Sequence, residues 1–292
     1  MTLLAILFAL LIDYALHLPP ALRSAQWLAA LARGIGQMSG DSRRAALLTW
    51  VGLVFLPLAV VTAGGILLTA YGGVLAALIY AAVVLVYSFG PLNIDREVNR
   101  VLAVETEAEL PAAAAGLVAE PLPASPEARS RTLVEAVFSG ALRCWFGVIF
   151  WFMVFGPAGA LLFRMARWMM EESVVLSARQ RHWSAALAAV LEWPVSQLMT
   201  LGLALVTDFD TVFKAWRHYH REQGHGLWEG DNGFLLAAAW GASRDAAAAR
   251  DGFTEERRGP LAPVALARDL AWRLLGIWLA VIALLLIVSW IA

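Results

Sequence analysis

The stretch whose reading decides the fold is Ala45–Ile94, AALLTWVGLVFLPLAVVTAGGILLTAYGGVLAALIYAAVVLVYSFGPLNI, which holds no charged side chain. Arg44 bounds it on one side and Asp95 on the other. One bilayer crossing takes about 20 apolar residues of helix, so the stretch has room for two crossings and a turn. Tyr71-Gly72-Gly73 supplies the turn, because glycine adopts backbone angles that other residues resist. The stretch therefore reads as a helical hairpin, Leu47–Ala70 followed by Val74–Tyr87. Pro57 and Gly64-Gly65 fall inside the first arm. In lipid a neighbouring helix satisfies the backbone groups that a proline frees, and such glycines equally mark close helix packing.

The rest of the chain has the same character. Of 292 residues 60% are hydrophobic and 15% charged, against roughly 45–50% and 25% in soluble domains. A net charge of -1 leaves no basic excess to meet a phosphate backbone, which argues against a nucleic-acid partner. The one cysteine, Cys144, excludes an internal disulfide framework and a cysteine-based zinc site. The composition is that of an integral membrane protein, with the lipid bilayer as its first partner.

Leu274–Ile291 is uncharged, follows Arg273 and carries Trp278 and Trp290 near its ends, the pattern of a final span with aromatic belts. Leu3–Leu16 is apolar apart from Asp13 and stops at Leu18-Pro19-Pro20. It lacks the basic flank and small-residue cleavage site of a signal peptide and reads as an uncleaved first span. The middle leaves two readings open. Leu142–Leu162 carries Arg143 near its start and is interrupted at Phe155-Gly156-Pro157, and Pro157 can open a second helix over Ala158–Met170. Val195–Val206 is apolar but only about 18 Å long as a helix. Both segments are spans, or both are broken or re-entrant helices shielded by the bundle. The expected fold class is all-α: a polytopic membrane helical bundle with four transmembrane helices, broken or re-entrant helices, and amphipathic cytoplasmic helices.

Arginine placement orients the bundle. Arg23, Arg33, Arg43 and Arg44 outweigh Asp41 after the first span, Arg96 and Arg100 follow the hairpin, and Arg268 and Arg273 precede the last span. These segments are expected in the cytoplasm and both chain ends outside. Ile94, Val98, Val101 and Leu102 recur at helical spacing, so Asp95–Glu105 should lie along the cytoplasmic face. Pro111–Ser130 holds four prolines among many alanines and reads as a flexible cytoplasmic linker within a single domain, 1–292. Glu255–Pro260 reads as a solvated turn.

Few side chains carry candidate chemistry. Asp13 is a carboxylate deep in a predicted span; such groups are costly and often functional, the alternative being pairing or hydration near the cytoplasmic end. His218, His220 and His225 cluster among Trp216, Tyr219 and Trp228, but His218 and His220 stand about 200° apart on a helix, which favours an interfacial segment over a metal site. Asp208 and Asp210 lack any phosphate-cradling loop and read as a hydrated helix terminus. Glu171-Glu172 stand at helical spacing from Arg164 and Arg167, the usual signature of a solvated face. The 13 tryptophans are dispersed, as interface anchors and packing residues are.

Phe150–Arg164, FWFMVFGPAGALLFR, resembles the membrane family that unites the cobalamin-biosynthesis proteins CobD/CbiB with AmpE. The family signature is an FW pair, a Gly-Pro turn and G-A-L-x-[YF]-R, matched by Phe150-Trp151, Gly156-Pro157, Gly159-Ala160-Leu161 and Phe163-Arg164. Asp13 fits the acidic residue of the family's first helix and Pro19-Pro20 the proline pair after it. Glu97–Leu102 fits an amphipathic E-V-x-R-x-L segment, Trp193 and Leu198 a Trp-x-Pro motif shifted here by Pro194 and Gln197, and Ala215-Trp216-Arg217 a later segment. The cobalamin enzymes carry polar and acidic residues where this chain has Ser139, Gly140 and Arg143, and an Asn and an Asp where it has Arg167 and Met170. An arginine before FW and the acid in the first span resemble the AmpE branch, inner-membrane regulators linked to β-lactamase induction. The resemblance implies a multi-pass protein of the bacterial inner membrane that signals and does not catalyse, with no metal and no cofactor. Its partner would be a membrane protein or an anionic cell-wall-derived ligand, held by Asp13, Arg143, Arg164, Arg167 and Trp193 at the broken Gly156-Pro157 helix. The guanidinium fork of arginine matches carboxylate or phosphate. The enzyme alternative is a divergent cobinamide-phosphate synthase using ATP and Mg²⁺, with Asp13, Asp208 or Asp210 as acids.

Overall fold

A computed structural model describes residues 2–16, 25–39, 43–90, 92–171, 174–223, 231–248 and 259–291. Pro19-Pro20, Arg23, Asp41, Glu172, His225, Trp228 and positions 255–258, all named above, lie outside the described residues. The chain is all-α: α1 (Thr2–Leu16), α2 (Gln26–Ser39), α3 (Arg43–Tyr71), α4 (Gly73–Ser88), α5 (Ile94–Leu102), α6 (Leu110–Ala114), α7 (Pro126–Ala141), a π-helical turn at Leu142–Phe146, α8 (Gly147–Glu171), α9 (Ala178–Val206), α10 (Phe209–Gln223), α11 (Gly233–Ala248) and α12 (Ala262–Ile291). No strand occurs among the described residues. The helices form two compact units, Met1–Pro91 with Arg143–Glu192, and Leu92–Leu142 with Trp193–Ala292.

In the first unit the expected hairpin is α3 and α4. Gly73 turns the chain at φ 72°, where a Cβ would be strained. Gly64 marks close packing: a Cβ there would lie 3.0 Å from the Tyr80 hydroxyl, which donates to the Val61 carbonyl at 2.8 Å. Leu28, Leu53, Leu161, Met165 and Met169 form the buried core between α2, α3 and α8. The first part of α9 is tied to α3 by Trp50, whose indole donates to Ser184 at 2.9 Å, and by Gln180, whose amide donates to the Ala46 carbonyl at 3.1 Å.

In the second unit α12 packs on α7 and α11. The amphipathic segment after the hairpin is α5, which buries Ile94, Val98 and Val101. Its outer face is fastened to α12 by Trp272 donating to Asp95 at 2.8 Å and Arg268 donating to Asn99 at 2.6 Å. The segment expected to be a flexible linker, Pro111–Ser130, is helical at both ends. Pro111 and Pro126 occupy first-turn positions of α6 and α7, where the missing N–H is not needed. Ser125 caps α7 by accepting from Ala128 N at 3.2 Å, and Ser130, buried, donates to the Pro260 carbonyl.

Among the described residues four helical stretches are long and apolar enough to cross a membrane: Arg43–Tyr71, Pro126–Glu171, Ala178–Val206 and the last helix. The middle segments, left open by composition, belong to long helices, and α8 is broken at Gly156. Conversely α1 and α4, counted among the four expected spans, have 15 and 16 residues and rise only about 22 and 24 Å, short of the roughly 30 Å hydrocarbon core. Phe55, Val60, Ile66 and Leu67 on α3, and Leu284, Leu285 and Ile287 on α12, are largely exposed, as helix faces turned to lipid are.

Candidate functional site

The specific sequence block builds a break in α8. Gly156 sits at φ 64°, ψ −153°, a region essentially reserved for glycine, and Pro157 brings no N–H to the helix. Directly after the break, a Cβ on Gly159 would collide with the Trp151 carbonyl. The block's two glycines are thus both demanded by backbone geometry. Its tryptophan acts differently, as the Trp151 indole donates to the Leu191 carbonyl at 2.9 Å.

On either side of this break stand the arginines. Arg143 lies on the π-helical turn Leu142–Phe146, a widened helix geometry frequent at functional positions. Arg167, buried, reaches two carboxylates: Nη2 donates to Glu171 Oε1 at 2.7 Å, and Nη1 lies 3.1 Å from Glu192 Oε1. Side-chain exposure is 8% for Arg167 and 7% for Glu192, against 62% for Glu171. Arg143 is close enough to interact electrostatically with Arg167, Glu192 and Glu171. Arg164, one turn before Arg167, packs its guanidinium on Gly90, where a Cβ would lie 3.1 Å from Cζ. Its Nε is buried and has no hydrogen-bond partner. Around this break Arg143, Arg164 and Arg167 outnumber Glu171 and Glu192.

Of the five residues singled out from the sequence, Arg143, Arg164 and Arg167 fall in the first unit, Arg143 before the break at Gly156 and the other two after it, with Arg143 and Arg167 near the same carboxylates. Asp13 is half-buried on α1, and Trp193 is half-buried in the second unit's part of α9. Two cavities, of 720 and 370 Å³, are lined by other residues. Glu192 escaped the sequence reading. The signal for it was present, since it is the one Asp, Glu, Lys or Arg between Arg181 and Asp208, and such a lone intramembrane charge calls for a partner.

The remaining candidates have structural work. Asp208 accepts from Thr211 Oγ1 and N at 3.0 and 3.1 Å; these bonds, the hydroxyl's first, hold its carboxyl below the ordinary value, and it caps α10. Asp210 pairs with Lys214. His220 rests against Trp216 at 4.4 Å between ring centroids and against Phe234 at 5.6 Å. Among the described residues no three of His, Cys, Asp and Glu gather as metal ligands. No family model, curated protein or solved structure matches the chain.

Proposed function

We propose that this chain is a regulatory protein of the bacterial inner membrane, of the AmpE type, that binds an anionic group at its first unit. The group would belong to a cell-wall-derived ligand or to a membrane partner. One observation carries the reading: the Arg164 Nε is buried without a hydrogen-bond partner, while the neighbouring Arg167 is already matched by Glu192 and Glu171. A buried donor left unmade costs about 1–3 kcal/mol, and an incoming carboxylate or phosphate removes that penalty. Four helices able to cross a membrane support the location.

The test uses a strain with an inducible β-lactamase and a deleted AmpE-type gene. Wild type, Arg143→Ala and Arg164→Ala are supplied at equal membrane levels, and induction by a sub-lethal β-lactam is measured. Loss of induction with Arg164→Ala is expected; wild-type induction by both variants would remove the arginines from the function. The amide-synthase alternative is decided by complementation of a cobalamin-pathway deletion, where growth would overturn the regulatory reading.

A further inference from the structure

Beside Arg164 lies an apolar groove of 720 Å³ lined by Trp27, Pro57, Val60, Val84, Tyr87 and Leu161, among others. Its volume is that of a ligand pocket, roughly 300–1,000 Å³, yet almost no polar atom faces it apart from the Trp27 indole and the Tyr87 hydroxyl. Those two bond each other at 2.5 Å, so neither asks for a polar ligand. Val60 and Val83 are 63% and 61% exposed, which leaves the groove open along the outer face of the α3–α4 hairpin.

The lining has a direction. Val60 and Val84, and likewise Pro57 and Tyr87, stand at equal sequence distances on either side of Gly72, so they face each other across the antiparallel hairpin. Going away from the turn, the lining ends at Tyr87 on α4 and at Leu161 on α8. One helical turn further, Tyr87 is followed by Gly90 and Leu161 by Arg164, and these two are in contact. Arg164 therefore stands one helical turn beyond the groove's last lining residue on α8.

We propose that the groove and Arg164 together bind one anionic phospholipid, an acyl chain lying along Val60 and Val84 and the headgroup phosphate on the Arg164 guanidinium. This rests on the reading of Arg164 as an anion site and names the bilayer as the source of the anion. Charge complementarity selects the occupant. A zwitterionic lipid presents the same chain but brings a cation beside the phosphate, which opposes the arginine.

The experiment is native mass spectrometry of the full chain in detergent, titrated with dioleoyl phosphatidylglycerol or dioleoyl phosphatidylcholine. Wild type should retain one phosphatidylglycerol about tenfold more tightly than phosphatidylcholine, the effect of one charge-assisted contact. Arg164→Gln should make the two lipids equal, Arg164→Lys should keep part of the preference, and Val60→Trp should weaken both without changing their ratio. Equal affinities in wild type overturn the proposal, and that comparison needs no variant to fold. A parallel arm measures thermal stabilisation by glycerol phosphate, which has the headgroup and no chain. Stabilisation that depends on Arg164, with no lipid preference, sinks the lipid site and leaves the anion-binding function standing. No response to either anion sinks both.

Discussion

Removing Glu192 tests the cluster most directly. Arg167 and Glu192 are 8% and 7% exposed and 3.1 Å apart, so Glu192→Gln leaves a buried guanidinium facing a neutral amide. Breaking a buried pair from one side costs about 3–5 kcal/mol. Glu171 still accepts from Arg167 at 2.7 Å, which places the expected loss at the lower end, about 3 kcal/mol. Glu171→Gln removes a contact whose carboxylate is 62% exposed, and such a pair is worth only about 0–1 kcal/mol. Losing both carboxylates should cost more than the sum of the single changes, because each partly covers for the other. Replacing the pair by apolar residues, Arg167→Met with Glu192→Leu, should cost much less than either single change, since no buried charge is left alone. The assay is reversible unfolding in mixed micelles titrated with SDS and followed by tryptophan fluorescence. A Glu192→Gln loss within about 0.5 kcal/mol of that for Glu171→Gln, the range of ordinary surface changes, would refute the assignment of a buried pair.

Further outcomes follow from the backbone and from one phenol. Gly156→Ala, at φ 64°, should cost about 1–3 kcal/mol in the same unfolding assay. By contrast Gly276→Ala, whose Cβ meets nothing within 4 Å in α12, should be neutral or stabilising by up to about 1 kcal/mol. Ser125→Ala should destabilise by about 1 kcal/mol through loss of the α7 cap, and Ser125→Gly by less. Burial, and then the hydrogen bond and charge of Asp231, push the Tyr219 phenol up to about 12. A raised value adds stability that is present below the unfolded value of 10.0 and is lost as pH rises through about 12. An ultraviolet titration of tyrosine should therefore lose its highest step in Tyr219→Phe, and the decline of helicity between those two pH values should flatten.

Much of the fold was legible because its signals are local. The charge-free run Ala45–Ile94 and the glycines at 72 and 73 specify two apolar helices and the turn between them without reference to any other part of the chain. The period of Ile94, Val98 and Val101 specifies the buried face of α5 in the same way. Composition left more open where a local rule has a non-local competitor. Two of the four prolines in Pro111–Ser130 open α6 and α7, and the interrupted and short middle segments lie in long helices, with the interruption kept at Gly156.

The candidate site divides along the same line. The sequence by itself determined the class of protein, the hairpin and the helix break, since length, hydrophobicity and the need for glycine at φ 64° are properties of a few consecutive residues. It also marked Arg143, Arg164 and Arg167 as cations among apolar residues. Packing alone settles that Arg167 is neutralised by Glu192 and that Arg164 keeps a buried donor without a partner. Those facts depend on how far each helix is rotated and shifted along its neighbours. Helical period places a residue on a face, but packing against another helix decides what that face meets.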